Sequence, residues 1–182
     1  MGLLDEILLH NEQWVEERNR PVTKAPAKRI ALFTCMDTRL VEFLEPAMGL
    51  KRGDAKVIKS AGNTMVEEGG EVIRSLVVAV HALGCEEIYV IGHEDCGMSQ
   101  IDEAQLERKM RERGVPQAAI DSLQPGLHRW LGAFHDLHGN VRQVTEHIRN
   151  SPLIPDDVPV HGLMFDPTSG RLEVLVNGYN RA

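Results

Sequence analysis

The sequence predicts an α/β fold of three layers, in which helices flank a mainly parallel central sheet of order 2-1-3-4 with an antiparallel strand at its edge. Short apolar runs bounded by turn residues alternate with longer segments of helical spacing, which is typical of parallel strands joined by right-handed crossovers. The C-terminal part differs, because two β-rich runs at 158–165 and 171–176 flank a Pro- and Gly-containing loop. This hairpin pattern predicts that the last strand is antiparallel.

The N-terminal 28 residues are predicted to form a helix and a tether. Residues 3–17 place Leu4, Ile7, Leu8 and Trp14 at helical spacing among acidic residues, and a Pro-containing stretch follows. The amphipathic helix packs either on its own subunit or on a partner subunit. We predict one domain over the whole chain, since 182 residues suit a single core.

The elements between the tether and the hairpin follow from the same spacing rules. They are predicted as strand 29–34, helix 40–49, strand 55–59, turn 60–63, helix 72–83, strand 87–91, helix 101–113, an irregular helical cover over one sheet edge at 115–139, and helix 141–149.

Charge and composition exclude several classes of function. The net charge is −7, and the basic residues form no long run, so a nucleic-acid partner is not expected. The longest apolar stretch is too short to cross a bilayer, and the first residues lack the basic start of a secretion signal, so we expect a soluble cytoplasmic protein. Three cysteines make no disulfide framework, and metal binding, catalysis or burial remain for them.

A metal site is predicted from residues at two strand ends. Cys35 follows the first strand, and His93 and Cys96, three residues apart, follow the third. In the order 2-1-3-4 these strands are neighbours, and ligands bind outside the carboxyl ends of parallel strands. Two thiolates and one imidazole favour Zn²⁺ with a fourth position left for another ligand. Cys85 precedes a strand, so it is predicted to be structural and to lie at the opposite end of the sheet.

Asp37 and Arg39 are predicted catalytic residues beside this site. In an extended segment residues 35, 37 and 39 point to the same side. Two thiolates make the zinc core formally neutral, so a bound water is acidified less than at a cationic site and needs assistance. Asp37 either is the fourth ligand or pairs with Arg39 and accepts a hydrogen bond from zinc-bound hydroxide.

The two motifs, Cys-x-Asp-x-Arg and His-x-x-Cys, resemble the signature of the β-class carbonic anhydrases. The turn Lys-Ser-Ala-Gly-Asn at 59–63 and Val-Pro-Val-His-Gly-Leu at 158–163 are also similar to this family. The resemblance implies a zinc enzyme that hydrates carbon dioxide to bicarbonate and a proton through zinc-bound hydroxide. It further implies a substrate pocket lined by the backbone at Ala61 and Gly62, and association as dimers or multiples of dimers.

Some positions resemble a short bacterial and archaeal branch of the family, which also includes carbonyl sulfide and carbon disulfide hydrolases. Thr38, Glu94, Asp95 and Met98 depart from the best-known members, and the forms Met-Asp-Thr-Arg-Leu at 36–40 and Asp-Cys-Gly-Met at 95–98 carry the resemblance to this branch. Hydrolysis of these sulfur compounds at the same site is therefore an alternative. A non-catalytic zinc or redox module, with the N-terminal helix mediating association, is a second alternative.

The remaining histidines carry weaker signals. His161 alternates with apolar residues on a late strand, which favours a core histidine bonded to backbone. His128, His135 and His138 fall in the irregular segment, where they either shuttle protons or are solvated.

Overall fold

Five strands form one sheet of order β2-β1-β3-β4-β5, in which only the β4–β5 pairing is antiparallel. The predicted fold class, strand order and antiparallel edge are confirmed. The computed structural model describes residues 2–17, 22–67, 69–123 and 125–180. The strands are β1 Ile30–Cys35, β2 Ala55–Ser60, β3 Glu87–His93, β4 Val160–Phe165 and β5 Leu172–Val176.

One helix precedes β1 in the chain, and the other helices fall between successive strands. They are α1 Leu3–Glu17, α2 Leu44–Ala47, α3 Glu71–Val77, α4 Glu103–Glu112, α5 Gln117–Asp121, α6 Leu127–Leu131 and α7 Leu137–Arg149. The described part of the chain also has three 3-10 turns, which follow β1, β2 and the loop after β3. They are Thr38–Leu40, Ala61–Asn63 and Gly97–Gln100. Among the described helices, none is long and apolar enough to cross a membrane.

The core lies on both faces of the sheet. Phe33 and Val90 pack with α3 and α7 on one face, while Leu32 and Ile91 pack with Leu44 on the other. β1 is buried over nearly its whole length because both of its faces are covered. Coverage of both faces explains the continuous apolar run of this strand.

The helix predicted at 40–49 is confirmed only in its second part, where α2 covers Leu44–Ala47. Leu40 ends a 3-10 turn, Val41 is extended, and Glu42 has a φ of 55°, so the helix restarts only at Leu44. The spacing of Leu40 and Leu44 reflects burial of both side chains on one face of the sheet rather than a continuous helix.

The other helices are confirmed with shifted boundaries. The predicted helix 72–83 is α-helical over Glu71–Val77 and continues as a π-helical turn at Val78–Ala82. α7 begins at Leu137, inside the segment predicted as irregular, because the Asp136 carboxylate caps it by accepting from the Gly139 N–H.

α1 is confirmed over Leu3–Glu17, and its apolar side chains are largely exposed, Leu3 by 72 % and Leu8 by 53 %. Part of the predicted tether, 18–21, lies outside the described residues. The single-domain organisation of 1–182 stays a prediction.

Candidate metal centre

The loops after β1 and β3 meet at the carboxyl ends of these two neighbouring strands. Thr34 pairs in register with Ile91, which places the residues that follow each strand side by side. The ligand atoms of Cys35, His93 and Cys96 all lie within 4.8 Å of one another, and all three residues are buried. The fold thus brings Cys35 together with His93 and Cys96, two donors that lie far from it in sequence.

The geometry of the three donors fits a tetrahedral metal ion. The two Sγ atoms are 3.9 Å apart, close to the roughly 3.8 Å between two thiolates of a tetrahedral site with bonds of about 2.3 Å. His93 Nδ1–H donates to the Glu94 carbonyl at 2.9 Å, which leaves Nε2 as the free ring acceptor. This Nε2 is buried and has no hydrogen-bond partner among the described residues. An orphaned buried imidazole nitrogen beside two thiols is what a zinc ligand set requires.

The two thiols titrate as a coupled pair. Hydrogen bonding from Cys96 lowers the pKa of the Cys35 thiol, and the backbone N–H groups of Asp37 and Gly62 lower it further. The shared hydrogen bond raises the pKa of Cys96 instead. The metal-free pair therefore shares one proton between the two sulfur atoms, because the shared hydrogen bond favours a single ionised thiol.

Asp37 and Arg39 lie next to the donors as a bidentate ion pair. Arg39 Nε donates to Asp37 Oδ1 at 3.0 Å, Nη2 donates to Oδ2 at 2.9 Å, and the Arg39 backbone N–H also donates to Oδ1 at 2.8 Å. These bonds lower the pKa of Asp37 to about 2, chiefly through the guanidinium. Asp37 Oδ2 is 3.7 Å from His93 Nε2, so the carboxylate is close to the donors while it is paired with Arg39.

The turn Ala61–Asn63 packs against the same centre. Gly62 and Asn63 both have positive φ, 62° and 46°. Asn140 of α7 donates its side-chain amide to the Gly62 carbonyl at 3.2 Å. A Cβ on Gly62 would lie 2.7 Å from Met98 Cβ and 2.8 Å from Phe134 Cε1, so these two side chains form an apolar wall over the turn.

Sequence reasoning missed Asn140 and the wall residue Phe134. Asn140 carries a readable signal, because it lies four residues before Val144 on the apolar face of α7 and is buried. A polar residue at a core position of a helix indicates a buried hydrogen-bond partner. Phe134 lies in the irregular segment and offers no periodic signal.

The remaining histidines divide between the core and the surface. His161 is buried, and its Nδ1 accepts from the Gly178 N–H at 3.1 Å, as predicted for a core histidine. His135 Nδ1 lies 3.2 Å from the Ser99 carbonyl, and His138 Nε2 lies 3.8 Å from Glu94 Oε1.

His128 pairs with Glu103, and its side chain is exposed. Cys85 is buried just before β3, at the end of the strand opposite His93, and burial raises the pKa of its thiol.

The fold and the centre define an α/β protein with two cysteines and one histidine placed to bind a metal at the carboxyl edge of its sheet. The family model described as carbonic anhydrase matches residues 30–172. The Bacillus subtilis protein named "Putative carbonic anhydrase YtiB" is 41 % identical over 186 residues, covering 99 % of this chain and 100 % of that protein. This chain therefore belongs to the β-carbonic anhydrase family.

Two further comparisons agree. Beta-carbonic anhydrase 1 of Mycobacterium tuberculosis is 30 % identical over 173 residues, 94 % of this chain and 97 % of that protein. The crystal structure of β-carbonic anhydrase isoform I from Trichomonas vaginalis matches with a TM-score of 0.93 at 38 % identity, over 98 % of this chain and 100 % of that one.

The similar proteins also include a carbon disulfide hydrolase, as the predicted alternative activity would suggest. A carbon disulfide hydrolase of Acidithiobacillus thiooxidans is 28 % identical over 156 residues, 80 % of this chain and 76 % of that protein. The full-length similarity to carbonic anhydrases supports that activity over hydrolysis of sulfur compounds and over a non-catalytic zinc or redox module.

Proposed function

We propose that this chain catalyses the reversible hydration of carbon dioxide to bicarbonate and a proton at a zinc ion held by Cys35, His93 and Cys96. The observation that carries the proposal is the convergence of the three buried ligand atoms within 4.8 Å at the edge where the β1 and β3 loops meet. Zinc bound there supplies a Lewis acid that lowers the pKa of a coordinated water toward neutrality.

Asp37 acts as a fixed acceptor in this proposal. With a pKa of about 2 it is ionised throughout the physiological range, and Arg39 donates one hydrogen bond to each of its oxygens through the guanidinium. The paired carboxylate can accept a hydrogen bond from the oxygen that attacks carbon dioxide, which orients that oxygen. The Arg39 pairing supports this role over that of Asp37 as fourth ligand.

The turn at Ala61 and Gly62 with its apolar wall forms the proposed substrate pocket. Gly62 provides a backbone N–H to Cys35 and has no space for a side chain under Met98 and Phe134. Close backbone approach on one side and apolar side chains on the other suit a small, uncharged molecule such as carbon dioxide.

Stopped-flow hydration tests this proposal. Zinc-loaded protein is mixed with dissolved carbon dioxide at alkaline pH, and a pH indicator follows proton release. We expect a rate that increases linearly with protein concentration. A rate no greater than that of buffer would exclude the activity.

Hydrolysis of carbon disulfide or carbonyl sulfide is the second candidate, supported by the similarity to the carbon disulfide hydrolase. These substrates are linear electrophiles like carbon dioxide, and their hydrolysis releases hydrogen sulfide. Sulfide evolution at saturating substrate would support this candidate, and its absence would remove it.

A homodimer, or a multiple of dimers, is the proposed assembly. α1 exposes a row of apolar side chains in the isolated chain, namely Leu3, Leu4, Ile7, Leu8 and Leu9, and apolar patches of this kind mark interfaces. Packing of α1 on a partner copy would bury them. Sedimentation should give a dimer for the wild type and a smaller species for Leu8→Glu. A monomeric wild type would contradict the proposal.

A further inference from the structure

The loop between His93 and Cys96 holds Arg39 through a second edge of its guanidinium, next to the edge that binds Asp37. Arg39 Nη1 donates to Asp95 Oδ2 at 3.0 Å, and Nη2 donates to the Asp95 backbone carbonyl at 2.8 Å. One guanidinium thus spans the two loops that follow β1 and β3, with Asp37 on the first loop and Asp95 on the second.

Asp95 is itself fixed in place. Its φ is 53°, in the left-handed region, where Asp and Asn are tolerated better than most residues. The Gln100 side-chain amide donates to Asp95 Oδ1 at 3.3 Å, so both carboxylate oxygens have donors. The fork of Arg39 is therefore anchored to a loop rather than held by its sequence neighbour alone.

This anchor bears on the position of Asp37. Both oxygens of Asp37 accept from Arg39, and Oδ2 lies 3.7 Å from His93 Nε2. To reach a metal ion at the three donors, the carboxylate must give up Arg39 or carry the guanidinium along. Because Asp95 holds the guanidinium back, the second route also costs the bonds between Arg39 and Asp95. Without Asp95, Arg39 can follow Asp37, and the inward position of the carboxylate becomes less costly.

We infer that Asp95, supported by Gln100, is a positioning residue that holds Arg39 so that Asp37 stays off the metal and leaves the fourth position exchangeable. The inference rests on the proposed zinc centre. It assigns to the loop residue between two ligands a role that acts through Arg39.

Anion binding to the cobalt-substituted protein tests the inference without measuring activity. Azide needs the exchangeable position, so its apparent affinity falls with the fraction of molecules in which Asp37 occupies that position. The azide Kd is read from the cobalt visible spectrum in four proteins: wild type, Asp95→Gly, Asp37→Ala and the double variant. Glycine removes the carboxylate and tolerates the positive φ.

Asp95→Gly changes the azide Kd by one factor when Asp37 is present and by a second factor in the Asp37→Ala background. The measured quantity is the first factor divided by the second. The division removes the direct effect of the lost charge, which by itself favours an anion. We expect a ratio of about two to five, the range of an exposed ion pair. Asp95→Asn keeps an acceptor oxygen for Arg39, so its ratio should lie between one and the ratio of Asp95→Gly.

Three results overturn the inference. A ratio of one shows that Asp95 does not act through Asp37. An equal ratio for Glu94→Gln, which removes a carboxylate from the same loop but one without a bond to Arg39, assigns the effect to general charge. Failure of the wild type to bind cobalt overturns the zinc centre, and the proposed function fails with it. Cobalt binding with a ratio of one overturns this inference alone.

Discussion

Substitution of Gly62 by alanine is expected to destabilise the protein through two separate costs. The backbone at Gly62 has a φ of 62°, where an L-residue costs about 1–2 kcal/mol. The new Cβ would also lie 2.7–2.8 Å from Met98 and Phe134, and overpacking of this kind costs about 1–3 kcal/mol. Gly62→Ala should therefore lower the free energy of unfolding by about 2–5 kcal/mol.

Gly49→Ala is the matched control. Gly49 has a similar φ of 70°, but a Cβ there meets nothing within 4 Å. Its cost should be the backbone part alone, about 1–2 kcal/mol. Urea denaturation of both variants at equal protein concentration gives the two values. Equal losses for the two variants would refute the close packing of Met98 and Phe134 over the turn.

Three further predictions concern titratable groups. Zinc binding should release at least one proton, because the Cys35–Cys96 pair still holds one in the metal-free protein. Calorimetry in two buffers measures the release, and a pH-independent zinc affinity would contradict it. Arg39→Gln should raise the pKa of Asp37 from about 2 toward its ordinary 3.8; carbon-detected NMR measures this pKa, and an unchanged value would show that the guanidinium is not the cause. Burial lowers the pKa of His161 below 6.5, so the folded protein binds fewer protons than the unfolded chain and loses stability as the pH falls below 6.5. The urea midpoint of His161→Gln should therefore decline less steeply with acid than that of the wild type. Parallel declines of the two midpoints would refute this.

Much of the fold could be predicted because its signals are local. Apolar runs and turn residues fix where each strand starts and stops, and chirality then limits the order of parallel strands. Placement of Cys35 and His93 at the ends of adjacent strands follows from that order, so the prediction that they meet needed no side-chain detail.

Features that depend on tertiary packing could not be predicted. Glu42 takes a positive φ although nothing in its sequence neighbourhood indicates it, and this breaks the helix expected from Leu40 onward. Likewise, the contact of Arg39 with Asp95 joins two loops whose relative position is set by the sheet. The packing of α1 is a further example, because its apolar side chains are exposed within the described chain and helical spacing does not tell which surface would cover them.

The rate of carbon dioxide hydration by Cys96→Ala, compared with Cys85→Ala, tests the central claim most directly. Both variants remove a buried thiol, but only Cys96 belongs to the group of three ligand atoms. After incubation with zinc and removal of excess metal, stopped-flow hydration should fall to the buffer rate for Cys96→Ala. Cys85→Ala should retain a wild-type rate per bound zinc. Equal rates for the two variants would contradict catalysis at the Cys35, His93 and Cys96 centre.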